Sequence, residues 1–140
     1  MTIEISFADL SHTGKTVDAN FFPLGCGYIA SYALEHLKGQ IEVQVFKYPA
    51  DFSAYLEQTI PRIACFSNYS WNLGLNYEYA RHLKARHPHV ITVFGGPNYP
   101  IEEEVRKQEA FLREHPAIDL YVDGEGEIAF TELFKILEGL

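Results

Sequence analysis

The chain has 140 residues, of which 47% are apolar, and a formal net charge of −8 at pH 7. That is enough apolar side chain for one packed domain without a disulfide or metal staple. The acidic balance speaks against a nucleic-acid footprint, which would show as a basic patch or stripe. It fits a solvated acidic surface.

Strand-like and helix-like stretches alternate from end to end. Residues 3–10 (IEISFADL) read as a first strand. No basic segment precedes an apolar stretch there, so the N-terminus does not read as a signal peptide. Residues 24–38 read as a helix with Ile29, Ala33 and Leu37 on one face, and Gly39 stops it. Residues 41–47 form a second strand. In it Ile41, Val43 and Val45 alternate with Glu42 and Gln44, which predicts one wet face. Residues 51–59 read as a short helix capped by Asp51 or Ser53. Residues 62–67 (RIACFS) form a third strand, apolar on both faces. Residues 72–86 form a helix closed by His87-Pro88. Residues 90–94 (VITVF) form a fourth strand that stops at Gly95-Gly96-Pro97. Residues 101–114 are a polar helix and 118–122 a fifth strand. Residues 127–138 are a last helix with Phe130, Leu133, Phe134 and Leu137 as its apolar stripe.

Strands alternating with helices imply a parallel sheet covered on both faces. The wet second strand belongs at an edge and the dry third and fourth at the centre. Strand order 2-1-3-4-5 satisfies both with right-handed crossovers. The expected fold is therefore α/β, a flavodoxin-like (Rossmann-like) three-layer sandwich, with residues 1–140 as a single domain. No apolar run reaches the roughly 18 residues of a membrane span. The expected location is the cytoplasm.

Cys26 and Cys65 sit in apolar runs, where free cysteine acts as a small hydrophobe. Their separation fits neither a metal site nor a disulfide framework.

In open parallel sheets, ligands bind outside the carboxyl ends of the strands, at the switch between the first and third. Four segments follow strand ends: residues 11–27, 67–72, 95–100 and 123–127. Together they hold Gly14, Gly25, Gly27, Gly95, Gly96, Gly124 and Gly126, together with Trp71, the lone tryptophan. Glycines there let backbone approach a ligand closely. Gly14-Lys15-Thr16 looks like the end of a Walker A loop, but Asp9 stands where that loop needs its first glycine. Ser11 to Thr16 resembles the phosphate loop of flavodoxins, which leaves an FMN-binding electron carrier as one alternative. Asp9 and His12 are three apart. The D-x-H-x-x-G motif that supplies a cobalt-ligating histidine needs two.

Taken in order, the segments resemble the N-terminal cobalamin-binding domain of cobalamin-dependent radical SAM enzymes. The matching residues are Pro23 to Ala30, Phe66 to Asn72, Gly95-Gly96-Pro97 and Asp123 to Glu127, with an F-x-E-L helix from Phe130 to Leu133 behind them. The resemblance implies base-off cobalamin held at the C-terminal edge of the sheet. The implied binding residues are Phe22, Leu24, Gly25, Ser67, Asn68, Tyr69, Trp71, Asn72, Gly95, Gly96, Pro97, Asn98, Gly124, Glu125 and Gly126. Ser67 and Asn68 would hydrogen-bond the nucleotide tail, and the glycines would leave room for it. A bulky residue at Gly96 is expected to block the slot without unfolding the domain. Phe21, Phe22, Tyr28, Tyr69, Trp71 and Tyr99 offer apolar area on the same edge.

With His12 off the motif spacing, no protein imidazole is expected on the cobalt. The family also implies a second domain in cis, binding a [4Fe–4S] cluster and S-adenosylmethionine, often for methyl transfer. The C-x-x-x-C-x-x-C motif for that cluster is absent from this chain, so the chain alone has no catalytic residues. The other alternative is a degenerate domain of the family that serves as a structural or partner-binding unit.

Overall fold

A computed structural model describes residues 1–13 and 22–140. Gly14 to Phe21, and with them half of the flavodoxin-like phosphate loop and the Phe21 contact, lie outside the described residues. Five parallel strands run β1 (Ile3–Ala8), β2 (Ile41–Phe46), β3 (Ile63–Ser67), β4 (Ile91–Gly95) and β5 (Leu120–Val122), in the sheet order β2-β1-β3-β4-β5. Five helices connect and follow them: α1 (Leu24–His36), α2 (Pro49–Gln58), α3 (Leu73–Arg86), α4 (Val105–Glu114) and α5 (Gly126–Glu138).

The expected topology is the observed one. β3 is buried at every position and pairs with β1 and β4, while β2 exposes Glu42, Gln44 and Val45 at the edge. Alternate side chains of each strand feed two cores. Ile5, Phe7, Ile41, Ile63, Cys65 and Val93 face α1 and α5, meeting Cys26, Ala30, Ala33, Leu37, Phe130 and Phe134. Ala8, Phe46, Ala64, Phe66 and Phe94 face the other way, packing with Phe52 of α2, Ala80 and Leu83 of α3, and Phe111 and Leu112 of α4. The crossovers thus place two helices on one face and three on the other.

Strands and helices are trimmed by one or two residues at several ends, and two helix starts differ from the sequence reading by two residues or more. α2 begins at Pro49 with Tyr48 as its cap residue, and no side chain caps it. Proline supplies the helical φ at the first turn. Ser53 instead pairs its Oγ with the Tyr79 hydroxyl at 2.6 Å, tying α2 to α3. α4 begins at Val105, not at 101. Residues 101–104 make a turn closed by the Glu104 N–H donating to the Ile101 carbonyl (2.9 Å). No helix among the described residues is long and apolar enough to cross a membrane.

Candidate functional site

The C-terminal ends of β1, β3, β4 and β5 and the first turns of α1 and α5 surround a cavity of about 740 Å³. That lies within the usual size range for a small-ligand site, about 300–1,000 Å³. It descends beside the sheet into the α1/α5 core. Phe7, Cys26, Ile29, Cys65, Val93 and Phe130 line its apolar part, with Gly95-Gly96-Pro97 from the β4 end and Asp123 to Glu127 from the β5 end around it.

Nine of the fifteen binding residues expected from sequence line this cavity: Gly25, Ser67, Tyr69, Gly95, Gly96, Pro97, Gly124, Glu125 and Gly126. Phe22, Leu24 and Trp71 do not line it; their side chains are well exposed nearby in sequence, with Phe22 at 76% and Trp71 at 57%. The Trp71 ring stacks on Tyr69, with centroids 4.7 Å apart and planes 6° from parallel. Tyr99 also lines the cavity and stacks on Tyr121 at 3.7 Å. His12 is exposed and is not among the lining residues.

The remaining three expected residues, Asn68, Asn72 and Asn98, act as struts. Asn68 and Asn72 are fully buried. Asn68 Nδ2 donates to the Asn98 carbonyl (2.7 Å) and the Tyr121 hydroxyl (3.1 Å), and its Oδ1 accepts from Asn98 Nδ2 (3.0 Å). The Tyr121 hydroxyl donates in turn to the Gly96 carbonyl (2.7 Å). Burial holds that hydroxyl far above the ordinary tyrosine range. Both ends of the Asn68 amide are therefore committed to holding the β4 turn against the β3 loop.

Ser67 belongs to a second network. Its Oγ donates to Asp9 Oδ1 at 2.6 Å. Asn72 Nδ2 lies 3.1 Å from the same carboxylate oxygen and 2.9 Å from Ser67 Oγ, while Asn72 Oδ1 accepts from the Tyr69 N–H (3.0 Å). From below, Asn76 Nδ2 donates to the Ser67 carbonyl (2.7 Å). Asp9 lines the cavity and was missing from the sequence-derived set. It stood out only as part of a motif whose spacing failed.

The glycines divide by what a side chain would meet. At Gly96, with φ +133°, a Cβ would stand 2.6 Å from the Asn68 carbonyl oxygen. Backbone, not a ligand slot, demands glycine here, so a bulky residue at 96 would disturb the fold as well as the cavity. At Gly126 a Cβ would come 2.5 Å from Ile29 Cδ1. Glycine there lets α5 approach α1. At Gly25 the nearest atom would be the Tyr69 hydroxyl, 3.9 Å away, and at Gly124 nothing lies within 4 Å. Those two positions keep open space at the cavity.

Both cysteines are free and buried, and both line the cavity. Burial, helped by the nearby Asp9 charge, pushes the Cys26 thiol up to about 12. Burial first, and Cys26 second, raises Cys65 as well. Neither supplies a thiolate near neutral pH. Burial, then the Asp9 charge, also raises the Tyr69 hydroxyl.

The profile of the B12 binding domain family matches residues 12–134. Among curated proteins, a cobalamin-dependent radical SAM methyltransferase, TokK of Streptomyces tokunonensis, is 30% identical over 137 residues, covering 90% of this chain and 19% of its own length. The 2-(S-pantetheinyl)-carbapenam-3-carboxylate methyltransferase of Streptantibioticus cattleyicolor is 40% identical over 75 residues, 54% of this chain and 10% of its own. The chain thus spans a fifth or less of the length of these two relatives. Among solved structures, a BeF3-activated DrrB receiver domain superposes with a TM-score of 0.59 at 19% identity, covering 99% of both chains. At that identity the likeness shows the fold alone. By its sequence profile over most of its length, the chain belongs to the B12 binding domain family.

Proposed function

We propose that the chain is the cobalamin-holding domain of a longer radical SAM methyltransferase, with the nucleotide tail of a base-off cobalamin in the cavity beside α1 and α5. The observation that carries this reading is the cavity itself. It opens at the strand ends, has an apolar interior, and keeps clear space at Gly25 and Gly124. An apolar slot with a polar mouth suits an aromatic base that trails a ribose and a phosphodiester. No Lys, Arg or His is among the described lining residues. The first residues of α1 and α5 line the cavity instead, and helix N-termini favour a singly charged anion. Phe22, Leu24 and Trp71 offer exposed apolar area for the corrin.

When bound, cobalamin would supply a cobalt able to take up and hand on a methyl group. The chain's own residues do the holding. Asp9, Asn72 and Asn76 engage the Ser67 hydroxyl fully and fix the end of β3, while Tyr69, fixed through its N–H, lines the cavity. The cavity wall excludes water from the base. Cys26 and Cys65 stay protonated and offer no soft ligand to the metal. The [4Fe–4S] cluster, S-adenosylmethionine and the substrate would belong to the rest of the protein.

The test replaces Gly25, a helical position where a side chain meets no backbone. Gly25→Leu should fold, with helix propensity in its favour by about 0.5–1 kcal/mol, and should lose cobalamin retention at least tenfold. Wild type should keep a stoichiometric corrin spectrum after desalting. Its reduced Co(II) form should lack nitrogen superhyperfine splitting in electron paramagnetic resonance. A bound corrinoid unaffected by Gly25→Leu would remove the tail from this cavity. Nitrogen splitting that persists in His12→Ala would refute the base-off state, and splitting lost in that variant would assign the lower ligand to His12.

A further inference from the structure

Asp9 is a carboxylate at a ligand cavity with no counter-ion among the described residues. Its backbone is fixed, because its N–H donates to the Phe46 carbonyl at 2.9 Å. Its side chain is fixed by two neutral donors, Ser67 Oγ at 2.6 Å and Asn72 Nδ2 at 3.1 Å, both on Oδ1. Ser67 and Asn72 are themselves buried, so the carboxylate cannot swing out to find a partner. None of the ion pairs among the described residues involves it. Among the described residues, the other charged ones lining the cavity are Glu102, Asp123, Glu125 and Glu127, all of the same sign. The charge reaches its neighbours, since it helps to raise both Cys26 and Tyr69.

A ligand that displaces water from such a carboxylate leaves it poorly solvated unless the ligand brings positive charge or hydrogen-bond donors. Neutral donors that lock one oxygen also preserve the charge, where an arginine or lysine would cancel it. We propose that Asp9 is the fixed negative charge of this site and that it makes the domain select corrinoids whose cobalt core is cationic over those whose core is neutral. This inference rests on the cobalamin reading above. It adds a specificity-determining residue and the sign of the charge it selects.

Aquocobalamin and cyanocobalamin have the same tail and the same amide side chains but differ by one unit of charge at the metal core. The experiment measures the dissociation constants of both for the full chain and for Asp9→Asn, at low and at physiological salt. The asparagine oxygen can still accept from Ser67 and Asn72, so the network survives, and a urea midpoint checks that it does. The wild-type ratio of the two constants, which also contains the cost of releasing the base, is the reference. In Asp9→Asn the aquo-to-cyano preference should fall about three- to tenfold, the size expected of one partly solvated charge, and less at high salt. Cyanocobalamin binding should barely change. An unchanged ratio, or equal loss of both ligands, would overturn the inference while leaving the cobalamin reading intact. Failure of wild type to bind either corrinoid would overturn both.

Discussion

Glu4 and Glu42 face each other in register across β1 and β2. The Glu42 carboxylate accepts from Thr2 Oγ1 at 2.7 Å. Burial of Glu4, then its bond to and repulsion by Glu42, raises the Glu4 carboxyl above its ordinary value of 4.5. In the unfolded chain that raise is absent. The folded state therefore holds the extra proton on Glu4, and that group's contribution is present at low pH and lost as pH rises from about 4.5 through the raised value; Glu42, lowered by its bonds to Thr2 and Glu4, works in the opposite sense. Glu4→Gln keeps a hydrogen-bonding amide beside Glu42 and cannot ionise. It should raise the melting temperature at pH 7.5, with the gain shrinking towards zero at pH 4.5. Thermal melts of both proteins across that range would show it, and a gain that grows towards acid would contradict the pairing. The same scale shows what residue types leave out. Asn68 and Asn72 look like ligand contacts because asparagine in a post-strand loop commonly is one. Here their amides satisfy backbone and side-chain groups that the turns would otherwise leave buried and unpaired. Only their three-dimensional partners reveal that structural role.

At the level of elements, the alternation of strand and helix and the wet-edge, dry-centre contrast suffice to order the sheet. They do so because side-chain period and burial are properties of each strand alone. Helix starts were less legible. The start of α4 depends on the turn at 101–104, and α2 takes proline rather than a side-chain cap. The β4 turn shows how an element end can be tuned by its neighbour. Gly96 lies against the Asn68 backbone, and the Asn68–Asn98–Tyr121 bonds close over it. Gly96→Ala combines a left-handed φ with a contact 2.6 Å from a carbonyl oxygen. It should destabilise the domain by roughly 2–4 kcal/mol, read as a lower urea midpoint. Gly25→Leu should not. A neutral Gly96→Ala would mean that the turn can relax at little cost.

For the molecule as a whole, the glycine-rich strand ends announce the mouth of the site, but nothing in the sequence announces its depth. Cys26, Cys65, Val93 and Phe130 have the patterning of ordinary core residues, and they are core residues: the same side chains belong to the α1/α5 cluster and to the cavity wall. The opposite cluster, under α2, α3 and α4, shares Phe66 and Phe94 with the cavity but none of its helical residues. A molecule seated in the cavity therefore completes one hydrophobic layer and barely touches the other. Its binding energy enters the local stability of α1 and α5, adding about 2.7 kcal/mol at a ligand concentration one hundred times the dissociation constant. Amide hydrogen exchange should record this as slowing confined to α1, α5 and the strand residues facing them. Amides of α2, α3 and α4 that open only through local fluctuations should exchange as before; uniform slowing would mean the two layers open as one unit. On this view the ligand is a late-arriving part of the core, and the lifetime of the α1/α5 layer is its gauge.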